Sequence, residues 1–365
     1  MRGLFIADVH ASNRLPHAKV DQTTGVSDRL RDIVGVFQTM RQYCLERGIC
    51  HIFILGDLFH TRLLDAITLR LTIDALREMA GDDITVWMLA GNHDASDAEA
   101  MHYTIDAFAE MGLKQIRLMD GPFNVEGVQF LALSYKPEHV TREQLKLVEE
   151  SGIDRAHVFL LMHQTVMGAQ MGNWKSPDGL TLEELSPYAG VISGHYHTPQ
   201  MFLPEKGLYL GAPIQHGFGD AGEERGFWEI GFEDFKTMAL MHVTPVPVEA
   251  PRFYTFTGKF IEGQLVVEQA LVAAFHPGGC YVQVTIEEPA QKERAHDHAV
   301  DEWRKTMLLR GAREVKVRWV DVRGVQKERM KIEVGAAGQI SLVQSALGYV
   351  DQLDTGGLSV EHLKQ

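Results

Sequence analysis

The sequence is short of several things, and each shortage closes off a class of protein. Cysteine is scarce: Cys44, Cys50 and Cys280 are the only three, and none forms a C-x-x-C pair. Neither a disulfide framework nor a zinc ribbon is expected. No apolar run approaches the ~18 residues that a membrane span needs. The first apolar stretch, Leu4-Phe5-Ile6-Ala7, is too short for a secretion signal and runs straight into Asp8 and His10. A cytoplasmic protein with no membrane attachment is the expectation. A basic surplus is missing too. The 35 Lys and Arg face 49 Asp and Glu, a net of −14, which argues against a chain coated in nucleic-acid-binding surface.

What is plentiful is histidine, at 17 in 365 residues. That length suits one large α/β domain with one or two smaller ones. Residues 2–7 read as a buried strand ending at Asp8. Residues 27–47 read as a helix capped by Ser27, with Ile33, Val34, Phe37, Met40, Cys44 and Leu45 at helical spacing. Apolar strands follow at 50–55, 84–90, 157–162 and 190–193, with another helix at about 65–80. The strands end at Gly56-Asp57, at Gly91-Asn92-His93-Asp94, at His163 and at Gly194-His195-Tyr196-His197. Five short strands thus each deliver polar residues at their C-terminal ends, where α/β sheets build their sites. Later strands at about 207–211, 226–232 and 237–243 complete a sheet layer, so two packed sheets with flanking helices are expected.

Residues 244–251 hold three prolines and read as an extended linker or an edge segment. Beyond them, a strand at 280–287, a charged helix at about 291–310 and a strand at 313–320 suggest a small βαβ-like module. Residues 291–331 carry twelve Lys and Arg against seven Asp and Glu. Such a local surplus matters more than the total for gripping phosphates. The expected domains are 1–250, 251–335 and a short helical tail at 336–365.

The candidate ligands are Asp8, His10, Asp57, Asn92, His163, His195 and His197. Carboxylate, imidazole and amide oxygen suit borderline divalent metals, not a thiolate site. Seven ligands exceed the needs of one ion and suit two, with one carboxylate bridging. Asp57, at a tight Gly-Asp turn, is the natural bridge. His93 sits beside a ligand and before Asp94, and a histidine oriented by a carboxylate can protonate a leaving oxygen. His60, three residues after Asp57, is close enough to touch a substrate phosphate. Each segment alone has an ordinary reading as a turn, a cap or a strand-end histidine. Their order, each after an apolar run, is what makes coincidence untenable.

Together these segments resemble the calcineurin-like metallophosphoesterase superfamily across roughly residues 1–245. Its pattern D-x-H, G-D, G-N-H-[DE], H and G-H-x-H is present without a gap. The resemblance implies an α/β/β/α sandwich. It assigns Asp8, His10, Asp57 and His197 to one metal, and Asp57, Asn92, His163 and His195 to the other. His93 becomes the catalytic histidine. Within the superfamily the chain looks like the SbcD-type nucleases. Gly56-Asp57-Leu58-Phe59-His60 and the segment Tyr209–Phe227 carry that narrower match, and the module after the prolines corresponds in position to a DNA-capping domain. The run after His60 lacks the proline expected there, the loop at 11–26 is longer than in many relatives, and the tail is short.

The narrower resemblance implies a DNA nuclease, exonucleolytic on duplex ends and endonucleolytic on single strands, acting in repair, recombination or replication. It implies two divalent ions, manganese first, with magnesium, iron or zinc as alternatives. It also implies a homodimer partnered by an SMC-like ATPase of the SbcC type. Arg304, Lys305, Arg310, Arg313, Lys316 and Arg318 are the candidate phosphate contacts, their ordinary reading being a solvated charged face. Two other functions stay open: a phosphodiesterase for a small substrate, mildly favoured by the acidic net charge, and a non-catalytic DNA-binding scaffold, disfavoured by the intact ligand set.

Overall fold

The computed structural model describes residues 1–232 except 173, together with 241–267, 279–287 and 297–320. The expected tail at 336–365 lies outside the described residues, as do 291–296 and 321–331 of the basic segment. Among the described residues no helix is long and apolar enough to cross a membrane.

The strands are β1 (Arg2–Ile6), β2 (His51–Leu55), β3 (Thr85–Leu89), β4 (Ile116–Leu118), β5 (Gly121–Val125), β6 (Val128–Leu133), β7 (Val158–His163), β8 (Gln170–Met171) and β9 (Trp174–Lys175). They continue as β10 (Gly190–Gly194), β11 (Gln200–Leu203), β12 (Gly207–Tyr209), β13 (Gly226–Phe232), β14 (Met241–Pro247), β15 (Phe253–Ile261), β16 (Gln264–Val267), β17 (Tyr281–Glu287) and β18 (Glu314–Val320). The helices are α1 (Asp28–Arg47), α2 (Ala66–Ala80), α3 (Ala107–Glu110), α4 (Glu138–Glu150), α5 (Leu182–Leu185) and α6 (Asp297–Leu309).

Two six-stranded sheets form the core, in the orders β14-β13-β1-β2-β3-β4 and β11-β12-β10-β7-β6-β5. In each, four parallel strands lie beside antiparallel ones. Side-chain alternation along a strand dictates the layers. On β1, Leu4 and Ile6 pack with Ile33, Phe37 and Met40 of α1, and Phe5 faces the other sheet. On β7, Phe159 and Leu161 meet Phe5, Phe53 and Phe232 between the sheets, while Leu160 and Met162 turn to Leu145 of α4 and Leu185 of α5. The result is a four-layer α/β/β/α sandwich. Truncating one of its fully buried phenylalanines to alanine would cost about 3–5 kcal/mol.

Local signals explain the helices. Ser27 caps α1 by accepting from Leu30 N, and Gly48 closes it in the left-handed region at φ 63°. Asp65 caps α2 by accepting from Ile67 N and Thr68 N. Leu45, expected on the apolar stripe of α1, is 53% exposed, and Val36 takes the buried place. The proline-rich segment resolves as an edge. Pro245 and Pro247 sit on β14, which among the described residues pairs only with β13, where a missing N–H costs no ladder bond.

By its internal contacts the chain separates into two compact units. The first holds Met1–Thr255 with short later segments around Tyr281 and Arg313. Beyond β14, β15 to β18 make a four-stranded sheet in the order β16-β15-β17-β18. The expected βαβ-like module is therefore enlarged by a hairpin, β15 and β16, that turns at Glu262-Gly263. Its alternation of Tyr254 and Phe256 with Thr255 and Thr257 is a strand pattern that the reading from sequence passed over.

Candidate metal centre

The C-terminal ends of β1, β2, β3, β7 and β10 meet where the two sheets come together, and their loops supply all seven candidate ligands. Asp8, His10 and Asp57 have φ of 52°, 51° and 52°, and His195 has 99°. These are left-handed conformations that cost side-chain-bearing residues of order 1–3 kcal/mol each and persist only where surrounding structure enforces them. Two glycines allow the close approach. A Cβ on Gly56, at φ 84°, would lie 2.2 Å from His163 Nδ1, and one on Gly91 would lie 2.1 Å from Asp57 Oδ1.

The donor atoms converge. Asp57 Oδ2 lies 3.6 Å from His10 Nε2 and 3.4 Å from His163 Nε2. His10 Nε2 faces His197 Nε2 at 3.0 Å. Asn92 Oδ1 is 3.2 Å from His163 Nε2 and 2.9 Å from His195 Nδ1. Asp8 Oδ1 is 4.0 Å from His163 Nε2, and the Asp8 carboxylate accepts from His195 N. Asp57 Oδ2 is thus shared between one group containing His10 and another containing His163. His163 Nδ1 donates to Leu55 O at 2.8 Å, which leaves Nε2 for the centre.

Burial sets the charge states. It drives His10 well below the ordinary imidazole value, takes His195 down to about 3 and lowers His197. These rings are neutral near pH 7 and offer lone pairs. Burial also pushes Asp8 up to about 7. Asp57 behaves oppositely: burial would raise it, but His163 beside it overrides this and holds the carboxyl down. Burial would lower His163, and Asp57 lifts it to about 9. The neutral rings of His10, His195 and His197, with the carboxylates and an amide oxygen aimed at one space, fit divalent cations, and His163 would give up its Nε2 proton on binding one. His10 Nε2 and His197 Nε2, 3.0 Å apart, can share one proton, and the same spacing suits two donors to one cation.

His93 and His60 lie at the edge of this centre. Both line a cavity of about 860 Å³, with Ser12, Arg14 and Arg62. The His93 ring stands edge-on to His10, with centroids 4.7 Å apart, and stacks on His60 at 5.7 Å. One expectation is corrected here. Asp94 does not orient the His93 ring. It is wholly buried, and its carboxylate accepts from Leu58 N, Phe59 N and Gly91 N. That arrangement ties the loops after β2 and β3 together. The ring is held instead by the backbone carbonyl of His60, 2.7 Å from His93 Nδ1, a bond that leaves Nε2 unengaged by it. The motif pattern places Asp94 next to His93 in sequence, but the turn sends consecutive side chains opposite ways.

The structure adds a residue that no role had been given. His216 stands 5.3 Å from both His10 and His197 by ring centroids, and burial keeps it neutral. It lies six residues beyond the apolar run ending at Leu210, inside the segment Tyr209–Phe227.

The candidate phosphate contacts are a mixed set. Lys305, Arg310, Lys316 and Arg318 are exposed, and Arg304 pairs with Asp301. Arg313 is committed elsewhere. Its guanidinium grips Asp32 at 2.8 and 3.1 Å and lies over the Tyr281 ring. Burial would lower that guanidinium, but bonding to Asp32 raises it. It is therefore not available to a phosphate.

Comparison with known proteins agrees with this geometry. The calcineurin-like phosphoesterase family model matches residues 1–199, a span that includes all seven ligands. The DNA double-strand break repair protein Mre11 of Halobacterium salinarum is 26% identical over 199 residues, 54% of this chain and 47% of that protein. The chain thus spans about half the length of that curated relative. Among solved structures, a dimetal phosphatase from Danio rerio aligns at 13% identity and TM-score 0.44, covering 67% of this chain and 98% of that one. A purple acid phosphatase from yellow lupin, Lupinus luteus, aligns at 15% and 0.37, covering 63% and 49%. The chain belongs to the calcineurin-like phosphoesterase family and is a metal-dependent hydrolase.

Proposed function

We propose that the chain is the nuclease subunit of an SbcCD-like complex, hydrolysing DNA phosphodiesters with two manganese ions. The observation that carries this is the open cavity beside the centre, where Arg14 and Arg62 flank His60 and His93. Cations at the mouth of a phosphoesterase site suit a polymer with a phosphate on either side of the bond to be cut. The Mre11 likeness supports the same reading.

When bound, the two cations supply Lewis acidity to the phosphoryl oxygens and to the attacking water. Asp8, His10, Asp57 and His197 hold one, and Asp57, Asn92, His163 and His195 the other. His93, oriented through Nδ1 by the His60 carbonyl, carries a proton at Nε2 to the leaving oxygen. His60 presses on the His93 ring and meets the substrate phosphate. Exposed Lys305, Arg310, Lys316 and Arg318 contact backbone phosphates without reading sequence. Dimer formation and docking on an SMC-like ATPase complete the proposal.

The test incubates the protein with Mn²⁺ and three substrates: end-labelled duplex DNA, single-stranded circular DNA and bis-p-nitrophenyl phosphate. Digestion of both DNAs, abolished by Asp57→Asn, is expected. Cleavage of the small ester alone would overturn the nuclease reading.

A further inference from the structure

The metal centre has a second mouth, unlike the first. On the side of His195 and His197 lies a cavity of about 480 Å³, also lined by Met171, Trp174, Asp220 and Glu223. Its size falls in the roughly 300–1,000 Å³ range of small-ligand sites. Met171 and Trp174 are directly opposed residues of the β8–β9 hairpin, so their side chains share one face. They are 62% and 49% exposed. They put an apolar, partly aromatic face in water next to the reaction centre.

The hairpin is held in place. Gln170 N donates to Gln200 Oε1, and Gln200 Nε2 returns a bond to Gln170 O, each at 2.8 Å. Below it, Gly168 N donates to Ser176 O and Ser176 N to Ala169 O. The apolar face is therefore presented at a fixed place beside His195 and His197.

Charge tells which part of a nucleotide belongs there. Among the described residues lining this cavity, none is lysine or arginine. Its carboxylates, Asp220 and Glu223, are both bound by the buried Arg225, at 2.9 and 2.6 Å. One guanidinium against two carboxylates leaves a net negative wall, which repels phosphate. The first mouth carries Arg14 and Arg62. A substrate spanning the centre would place its charged backbone on the arginine side and an uncharged, flat group on the tryptophan side.

We propose that the Met171–Trp174 face is a nucleobase site, on which the base of the nucleotide flanking the scissile phosphate stacks. This rests on the nuclease reading and names the part of the substrate recognised. Stacking tolerates any base because every base has a π-face. A site of this kind takes a base that has left the duplex stack, so it favours single strands and frayed ends.

The test uses the full chain. Cleavage of a single-stranded 12-mer is compared with cleavage of versions carrying one tetrahydrofuran abasic residue at successive positions. At the position flanking the cut, the missing base should raise KM about ten-fold or more. Trp174→Ala should erase that difference between substrates, and Trp174→Phe should retain most of it. An independent readout is tryptophan fluorescence in Mg²⁺. Adding dAMP should quench it, deoxyribose 5-phosphate should not, and Trp174→Phe should lose the response. Equal KM for intact and abasic substrates, or quenching that survives Trp174→Phe, would overturn the proposal. Quenching by dAMP in a protein that cuts no DNA would sink the nuclease reading and leave the base site standing.

Discussion

At the metal centre, seven side chains from five strand ends aim their donors at one point, with Asp57 Oδ2 within 3.6 Å of two different histidines. Of the six cations on 297–320, Arg304 pairs with Asp301, Arg313 with Asp32, and the other four are exposed. The two regions serve different tolerances. Coordination and proton transfer need ligands placed to within fractions of an ångström, so a rigid scaffold and strained backbone are required. Phosphate attraction acts over a Debye length of about 8–10 Å and needs no such convergence. Removal of one side chain should therefore be severe in the first region and mild in the second.

The largest expected effect is Asp57→Asn. Asp57 serves both halves of the centre, so metal affinity should fall by more than the roughly 100-fold that outer-shell changes cost. Titration calorimetry with Mn²⁺ measures it, and two ions bound at full affinity would break the contrast. His93→Ala comes next, with kcat reduced roughly 10²- to 10⁴-fold. Metal binding should survive this change. The link from this residue to Asp57 Oδ1 runs through the backbone N–H at 2.8 Å, which alanine keeps.

The centre was legible in the sequence because short apolar strands announce their own C-terminal ends, and a parallel sheet gathers those ends on one edge. That argument reached Asp8, His163 and His197 without knowledge of distances. It could not reach Asp94, whose side chain turns away from its neighbour, or His216, which follows its strand by several residues. The Met171–Trp174 hairpin is only two residues per strand, too short for a periodic signal. Arg313 was misread for a different reason. Its composition and position match those of an exposed cation, and its partner Asp32 is 281 residues away.

Two stability effects fall in the middle. Gly91→Ala would push a methyl group against Asp57 Oδ1, and overpacking of this kind costs about 1–3 kcal/mol. Thermal unfolding should show the loss, with weaker metal binding alongside. Arg313→Ala strips Asp32 of a two-pronged, charge-assisted pair and should cost about 2 kcal/mol. DNA affinity should be unaltered by it. A weaker DNA complex without loss of stability would return Arg313 to the phosphate-contacting set.

The smallest effect belongs to Lys316 and Arg318. They are exposed and lie at i and i+2 of β18, so both side chains leave the sheet on the same side. If each neutralises one phosphate, Lys316→Ala or Arg318→Ala should weaken duplex binding only a few-fold near physiological salt. Each should also lower the slope of log K against log salt by about 1, with stability unchanged. Arg304→Ala, on α6 rather than β18, is the comparison variant. The slope is the decisive quantity. A general loss of net positive charge would shift all three variants alike, whereas true phosphate contacts separate Lys316 and Arg318 from Arg304. Equal slopes in all three would mean that the strand is an ordinary solvated face, and the sharp difference between the two regions would then be a difference between a site and no site.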